Sequence, residues 1–107
     1  MSITQNEKTA LNELQVKLAE KYSLVDFKLY GSKALGTDVS GSDLDVMVVL
    51  EAISPIIESE IDDLVFEINL KYDCFISALF FSRVEIDAGS LSESPIYKQI
   101  LQEGIGI

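Results

Sequence analysis

Apolar residues recur first at helical spacing and then in short, nearly unbroken runs. Ala10, Leu11, Leu14 and Leu18 fall on one face at helical spacing, which predicts an amphipathic helix over about Thr4–Lys21. Leu24, Val25, Phe27, Leu29 and Tyr30 then mark a strand over Tyr22–Tyr30. Gly31-Ser32 breaks it, Ser32–Leu35 starts a short helix, and Gly36–Ser42, rich in Gly, Ser, Thr and Asp, reads as a loop. Asp43–Leu50 is a second strand, almost wholly apolar after Asp45 and so expected at the centre of a sheet. Ser54-Pro55 is a cap-plus-proline start, and Ile57, Ile61, Leu64, Val65 and Ile68 form one helical stripe running to about Tyr72. Cys74–Phe81 reads as a third strand. Ser94-Pro95 repeats the start signal before a last helix, Ile96–Glu103, which Gly104 stops. The order α-β-α-β-α-β-α predicts an α/β (α+β) fold, a small three-stranded mixed sheet with helices packed on it.

Composition narrows the chemistry. A chain of 107 residues is expected to be a single domain, 1–107, large enough to bury a core unaided. It has no histidine, which excludes Ser-His-Asp and Cys-His catalysis and His-ligated zinc. One cysteine, Cys74, excludes an internal disulfide and reads as a small buried side chain. Asp and Glu number 18 against 8 Lys and Arg, a net charge of −10. That balance lacks the basic footprint of direct nucleic-acid binding, yet it suits a nucleotide whose charge is met by a metal ion. No signal-peptide pattern and no apolar run of membrane-spanning length is found, so a cytoplasmic protein without membrane contact is expected.

The chemistry concentrates between Gly31 and Asp45. Gly31-Ser32 ends a strand and opens a helix, where free N–H groups and a glycine's open backbone attract phosphate. Asp43 and Asp45 lie two apart on a strand, so both point to one face, about 6–7 Å apart along it, while Leu44 points into the core. Two adjacent carboxylates repel unless a cation lies between them, and magnesium favours carboxylates together with substrate phosphates. Taken alone, an Asp-x-Asp pair is more often a solvated strand end. The segment does not fit a Walker A loop, a Rossmann fingerprint or an EF-hand, because the glycines, the Gly-Lys-Ser/Thr ending and the closing Glu are not at the required positions.

Gly31-Ser32, ten residues, then Asp43-Leu44-Asp45 with Ser42 before and an apolar strand after resembles the signature of the DNA polymerase beta-type nucleotidyltransferase superfamily. The leading helix, Tyr30-Gly31-Ser32, Gly36 and the closing Ile100–Gly104 run extend the likeness over the whole chain, which is similar to the minimal, stand-alone bacterial members. The resemblance implies the nucleotidyltransferase fold in one minimal domain. It implies Asp43 and Asp45 as catalytic metal ligands for Mg2+, and Gly31, Ser32 and Ser42 on the side of ATP or another nucleoside triphosphate. A third catalytic carboxylate is expected midway along the third strand, where the register places Ser77. Asp73 shares its parity but lies about 13 Å further back, and is the candidate substitute if the strand starts late. Glu85 and Asp87 are weaker candidates. Lys33 reads as a solvated helix residue.

Two functions follow from the resemblance. One is an antitoxin that transfers AMP to a partner protein, a HEPN-type toxin, since this chain is too short to carry a second substrate-binding domain. The other is a catalytically weak or inactive module that neutralises its partner by contact, which the missing third acid favours. Transfer to RNA or to a small antibiotic fits less well. The apolar tail Ile105-Gly106-Ile107 is expected either on the sheet or on a neighbouring copy, which leaves a homo-oligomer open.

Overall fold

The computed structural model describes residues 3–36, 43–87 and 93–106. Its elements in chain order are α1 (Gln5–Lys21), β1 (Leu24–Tyr30), α2 (Gly31–Leu35), β2 (Leu44–Leu50), α3 (Pro55–Tyr72), β3 (Ile76–Ser82), α4 (Arg83–Asp87), α5 (Pro95–Glu103) and β4 (Ile105–Gly106).

Each long helix starts where its side chains satisfy the free backbone donors. The Thr4 hydroxyl accepts from Glu7 N–H and the Glu7 carboxylate accepts from Thr4 N–H, a reciprocal capping box at 3.1 and 2.9 Å. Ser54 accepts from Ile57 N–H with Pro55 in the first turn, as the dipeptide predicts.

The sheet is mixed, in the order β3-β2-β1-β4. β1 and β2 are antiparallel, with Tyr30 opposite Asp45, and β2 and β3 are parallel, with Asp45 opposite Ser77. The sheet therefore has four strands rather than the expected three. The tail supplies the fourth: Ile105 and Gly106 pair with Leu29 and Lys28, so these two residues lie on the chain's own sheet, while Ile107 lies outside the described residues. Gly104 makes this return feasible, because a Cβ there would lie 2.4 Å from the Ile100 carbonyl oxygen and 3.2 Å from Lys28 Cδ. A five-residue helix, α4, was also not foreseen; it follows β3 directly, with Ser82 accepting from Glu85 N–H at its start.

β2 is central, as its apolar run predicts. Leu44, Val46, Val48 and Leu50 face α1 and α3 and join Leu11, Leu14, Leu18, Ile61 and Ile68 in the main core. Met47 and Val49 face the other way, onto Phe81 and Ile100, in a smaller second core under α5. Each such aliphatic side chain contributes about 1.5–3 kcal/mol on burial. The two acids therefore sit at the start of a strand held fast on both faces.

The α3–β3 connection is closed by Asn69. Its side-chain carbonyl accepts from Ile76 N–H at 2.8 Å and its amide donates to the Ile76 carbonyl at 3.2 Å, so one side chain pairs the outer backbone groups where the edge strand begins. This clamp delays the strand to Ile76, two residues beyond the expected start.

Candidate functional site

Period-two alternation places Asp43, Asp45, Met47 and Val49 on one face of β2. Asp43 is exposed just ahead of the strand, and Asp45 is partly buried inside it. The sheet register sets Tyr30, Asp45 and Ser77 in one row across three strands. The row lies beside the smaller core, to which Tyr30 adds its ring.

Gly31 closes the row from above. It begins α2 with φ +76°, and a Cβ on it would lie 2.7 Å from Asp45 Oδ2. Glycine is needed twice over, for the left-handed backbone and for the close approach of the carboxylate. Ser32 follows, half-buried, in the same turn. Gly31, Ser32, Asp43 and Asp45 are thus gathered around the start of β2, as the sequence spacing anticipates, whereas Ser42 lies outside the described residues.

The electrostatics set two carboxylates against each other. Burial, and after it the Asp43 charge, pushes the Asp45 carboxyl above its ordinary range. Burial, and after it the Asp45 charge, pushes the Tyr30 hydroxyl up as well. Among the described residues no lysine or arginine forms an ion pair with either acid. Two hard oxygen donors, crowded and mutually repelling, fit a divalent cation such as Mg2+, which keeps waters and takes phosphate oxygens as further ligands.

The remaining candidates sit elsewhere. Asp73 is not on β3: it ends α3 in a left-handed conformation, φ 51°, three residues before the strand, because the Asn69 clamp holds the intervening turn. Among the described residues no group of three or more Asp, Glu, Cys or His side chains could hold a metal, so neither Asp73, Glu85 nor Asp87 completes a three-carboxylate set. Glu85 instead accepts from the Ser82 hydroxyl at 2.9 Å, and Asp87 lies 4.0 Å from Arg83. Ser77 occupies the place beside Asp45, exposed.

Lys33 departs from expectation. It is only 9% exposed, and its Nζ lies 3.4 Å from Glu7 Oε2, so it is a buried tie between α2 and α1 rather than a solvated residue. Glu7 thereby serves both the cap of α1 and the seating of the Gly31-Ser32 turn. No single-residue signal marks that pairing. Tyr30, read only as a strand end, acquires its place beside Asp45 from the antiparallel register.

No curated protein sequence matches the chain. Among solved structures, it is similar over 100% of both chains to a protein described as a minimal nucleotidyltransferase, with 17% identity and a TM-score of 0.65. A toxin–antitoxin structure with AMP-PNP aligns at 17% identity and a TM-score of 0.62, covering 96% of this chain and 72% of that one. A structure of the toxin–antitoxin MntA–HpeT aligns at 17% identity and a TM-score of 0.58, covering 95% and 71%. At these identities the likeness establishes the fold. Kinship rests on sequence: the profile of the nucleotidyltransferase domain matches residues 11–104, nearly the whole length and including the site, and the chain belongs to that family.

Proposed function

We propose that this protein is a Mg2+-dependent nucleotidyltransferase that takes ATP and transfers AMP to a partner protein in the cytoplasm, acting as the antitoxin of a HEPN-type toxin. The observation that carries this reading is Asp45 pressed against Gly31 with the charge of Asp43 beside it: two mutually repelling carboxylates next to a strand-to-helix turn able to meet phosphate. The structural neighbours that include a toxin–antitoxin with AMP-PNP lend support to both the nucleotide and the partner.

In this reading Asp43 and Asp45 hold the metal, while Gly31, Ser32 and Ser42 hold the triphosphate. When bound, Mg2+ supplies positive charge against the phosphate oxygens. The acceptor hydroxyl attacks the α-phosphorus, the bond to the β-phosphate oxygen breaks, and pyrophosphate leaves with the electron pair. Ser77, exposed beside Asp45, is no base at neutral pH, and Asp45 is committed to the metal, so the acceptor's proton passes to solvent.

Ser77 also favours a second reading, in which the domain binds its partner by contact and turns over slowly or not at all. Calorimetric titration with ATP, with and without MgCl2, separates the two when joined to a labelling assay. Transfer predicts Mg2+-dependent ATP binding, label from α-labelled ATP on the co-expressed partner, and loss of both in Asp43→Asn with Asp45→Asn. Contact alone predicts neutralisation that survives the double substitution and no label on the partner.

A further inference from the structure

Three large apolar side chains stand open where α3 runs into β3. Phe66, Leu70 and Phe75 are 64%, 69% and 68% exposed, and with Asn69, Asp73 and Cys74 they line a cavity of about 260 Å3. That is below the roughly 300–1,000 Å3 of small-molecule pockets, and it suits one bulky anchor side chain of a protein partner.

The acid in the groove is out of place by local rules. Asp73 ends α3 with φ 51°, where glycine or asparagine is usual, and puts a negative charge at the negative end of the helix dipole. Among the described residues no cation pairs with it; neighbouring Lys71 turns instead to Glu13. Glu58 and Asp62 continue the helical row of Phe66 and Leu70 at four-residue intervals, so the apolar stretch is bracketed by acids alone.

We propose that this groove docks a basic partner protein, with one bulky apolar side chain between Phe66, Leu70 and Phe75 and a flanking lysine or arginine on Asp73. A second copy does not fit, because the acidic bracket would meet itself in a two-fold contact between chains of charge −10. The groove also adjoins the candidate active site: the Phe75 carbonyl accepts from Leu44 N–H at 2.7 Å, and Leu44 stands between Asp43 and Asp45. A partner seated there sits at the end of the sheet where the two acids also lie. This proposal rests on the reading that the acceptor is a separate protein.

The test uses the full chain, isotope-labelled for NMR, and synthetic amphipathic helices of about four turns with leucines on one face and lysine and arginine on the other. Matched helices carry glutamine or glutamate in place of the basic residues. The basic helix should shift resonances clustered at residues 62–76 and bind more tightly than the glutamine helix, with no binding by the glutamate one. Phe66→Ser with Leu70→Ser, both exposed and so compatible with folding, should weaken it about tenfold or more. Asp73→Asn should weaken the basic helix roughly three- to tenfold and leave the glutamine helix unchanged. Absence of binding, shifts spread over other acidic surfaces, indifference to Phe66→Ser with Leu70→Ser, or self-association mapping to the same residues each overturns the proposal. Mg–ATP titration of the unsubstituted chain reads Asp43 and Asp45 independently: there, nucleotide binding without docking rejects the groove alone, and docking without nucleotide binding rejects the transferase reading alone.

Discussion

Gly31 and Asp45 are mutually fitted: the carboxylate oxygen Oδ2 lies 2.7 Å from the place a Cβ on the glycine would occupy. The φ of +76° at Gly31 adds a backbone requirement to the steric one. Both meet where β1 becomes α2 and β2 opens, so the turn and the acid fix each other's placement.

Gly31→Ala should therefore harm the site more than the fold. The left-handed backbone costs about 1–2 kcal/mol for an L residue. The carboxylate, at the end of a short side chain, must turn away from the new methyl. A displacement of that order at a binding group lowers function by about 10–100-fold. Thermal melting should show the modest loss, and Mn2+ or Mg–ATP titration the larger one; equal, small effects on both would separate Gly31 from the site.

Asp45→Asn should stabilise the protein in the presence of a chelator. The folded state holds Asp45 partly buried beside Asp43, with its carboxyl pushed above the ordinary range, so its charge disfavours folding at neutral pH. Asparagine keeps the shape and removes the charge. Screening at a half-open site limits the gain to roughly 0.5 kcal/mol, or about 2–4 °C in melting temperature. Exposed Asp43 has less burial to relieve, so Asp43→Asn should gain less. Calorimetric melts in EDTA check the order, and a Tm below wild type for Asp45→Asn contradicts it.

Ser77→Asp places a third carboxylate in register beside Asp45. Added ligand charge tightens divalent binding, by about tenfold for one further carboxylate in a site of this kind. The same substitution should lower the melting temperature in EDTA, because a third like charge joins two that already repel. Titration with Mn2+ measures the first effect and melting the second. If metal affinity is unchanged while the protein is destabilised, the row Tyr30–Asp45–Ser77 does not face the metal.

Much of this was legible because the chain obeys simple periodicities. The stripe Ala10–Leu18 and the run Val46–Leu50 became α1 and β2, and the parity of Asp43 and Asp45 put both on one face. The register placed Ser77 beside Asp45, as the family resemblance implied. What sequence reasoning missed depends on contacts between distant segments. Lys33 looks solvated until Glu7 is brought to it, and β4 is too short to announce itself without β1 beside it. The strand's late start depends on a single amide, Asn69, whose two hydrogen bonds to Ile76 no local pattern encodes.

Glu13 carries the clearest pH dependence outside the site. Its Oε1 accepts from Lys71 Nζ at 2.9 Å and from the Tyr72 hydroxyl at 2.8 Å, and its Oε2 lies 3.3 Å from Lys17, so it ties α1 to the end of α3. The Lys71 bond first, and the Tyr72 bond after it, hold its carboxyl down to about 2 from an ordinary 4.5. A lowered carboxyl stabilises the folded state above the unfolded value, and that contribution is lost as pH falls from 4.5 toward about 2. Lys71 is 60% exposed, so solvent screening reduces the benefit to roughly 1 kcal/mol. Glu13→Gln should therefore lower stability by about that much at neutral pH and low salt. The gap from wild type should close as pH falls through this range, and it should narrow in high salt at any pH. Urea unfolding across pH measures it; a gap that persists at the acid end would assign the effect to hydrogen-bond geometry that the amide does not reproduce rather than to the charge of Glu13.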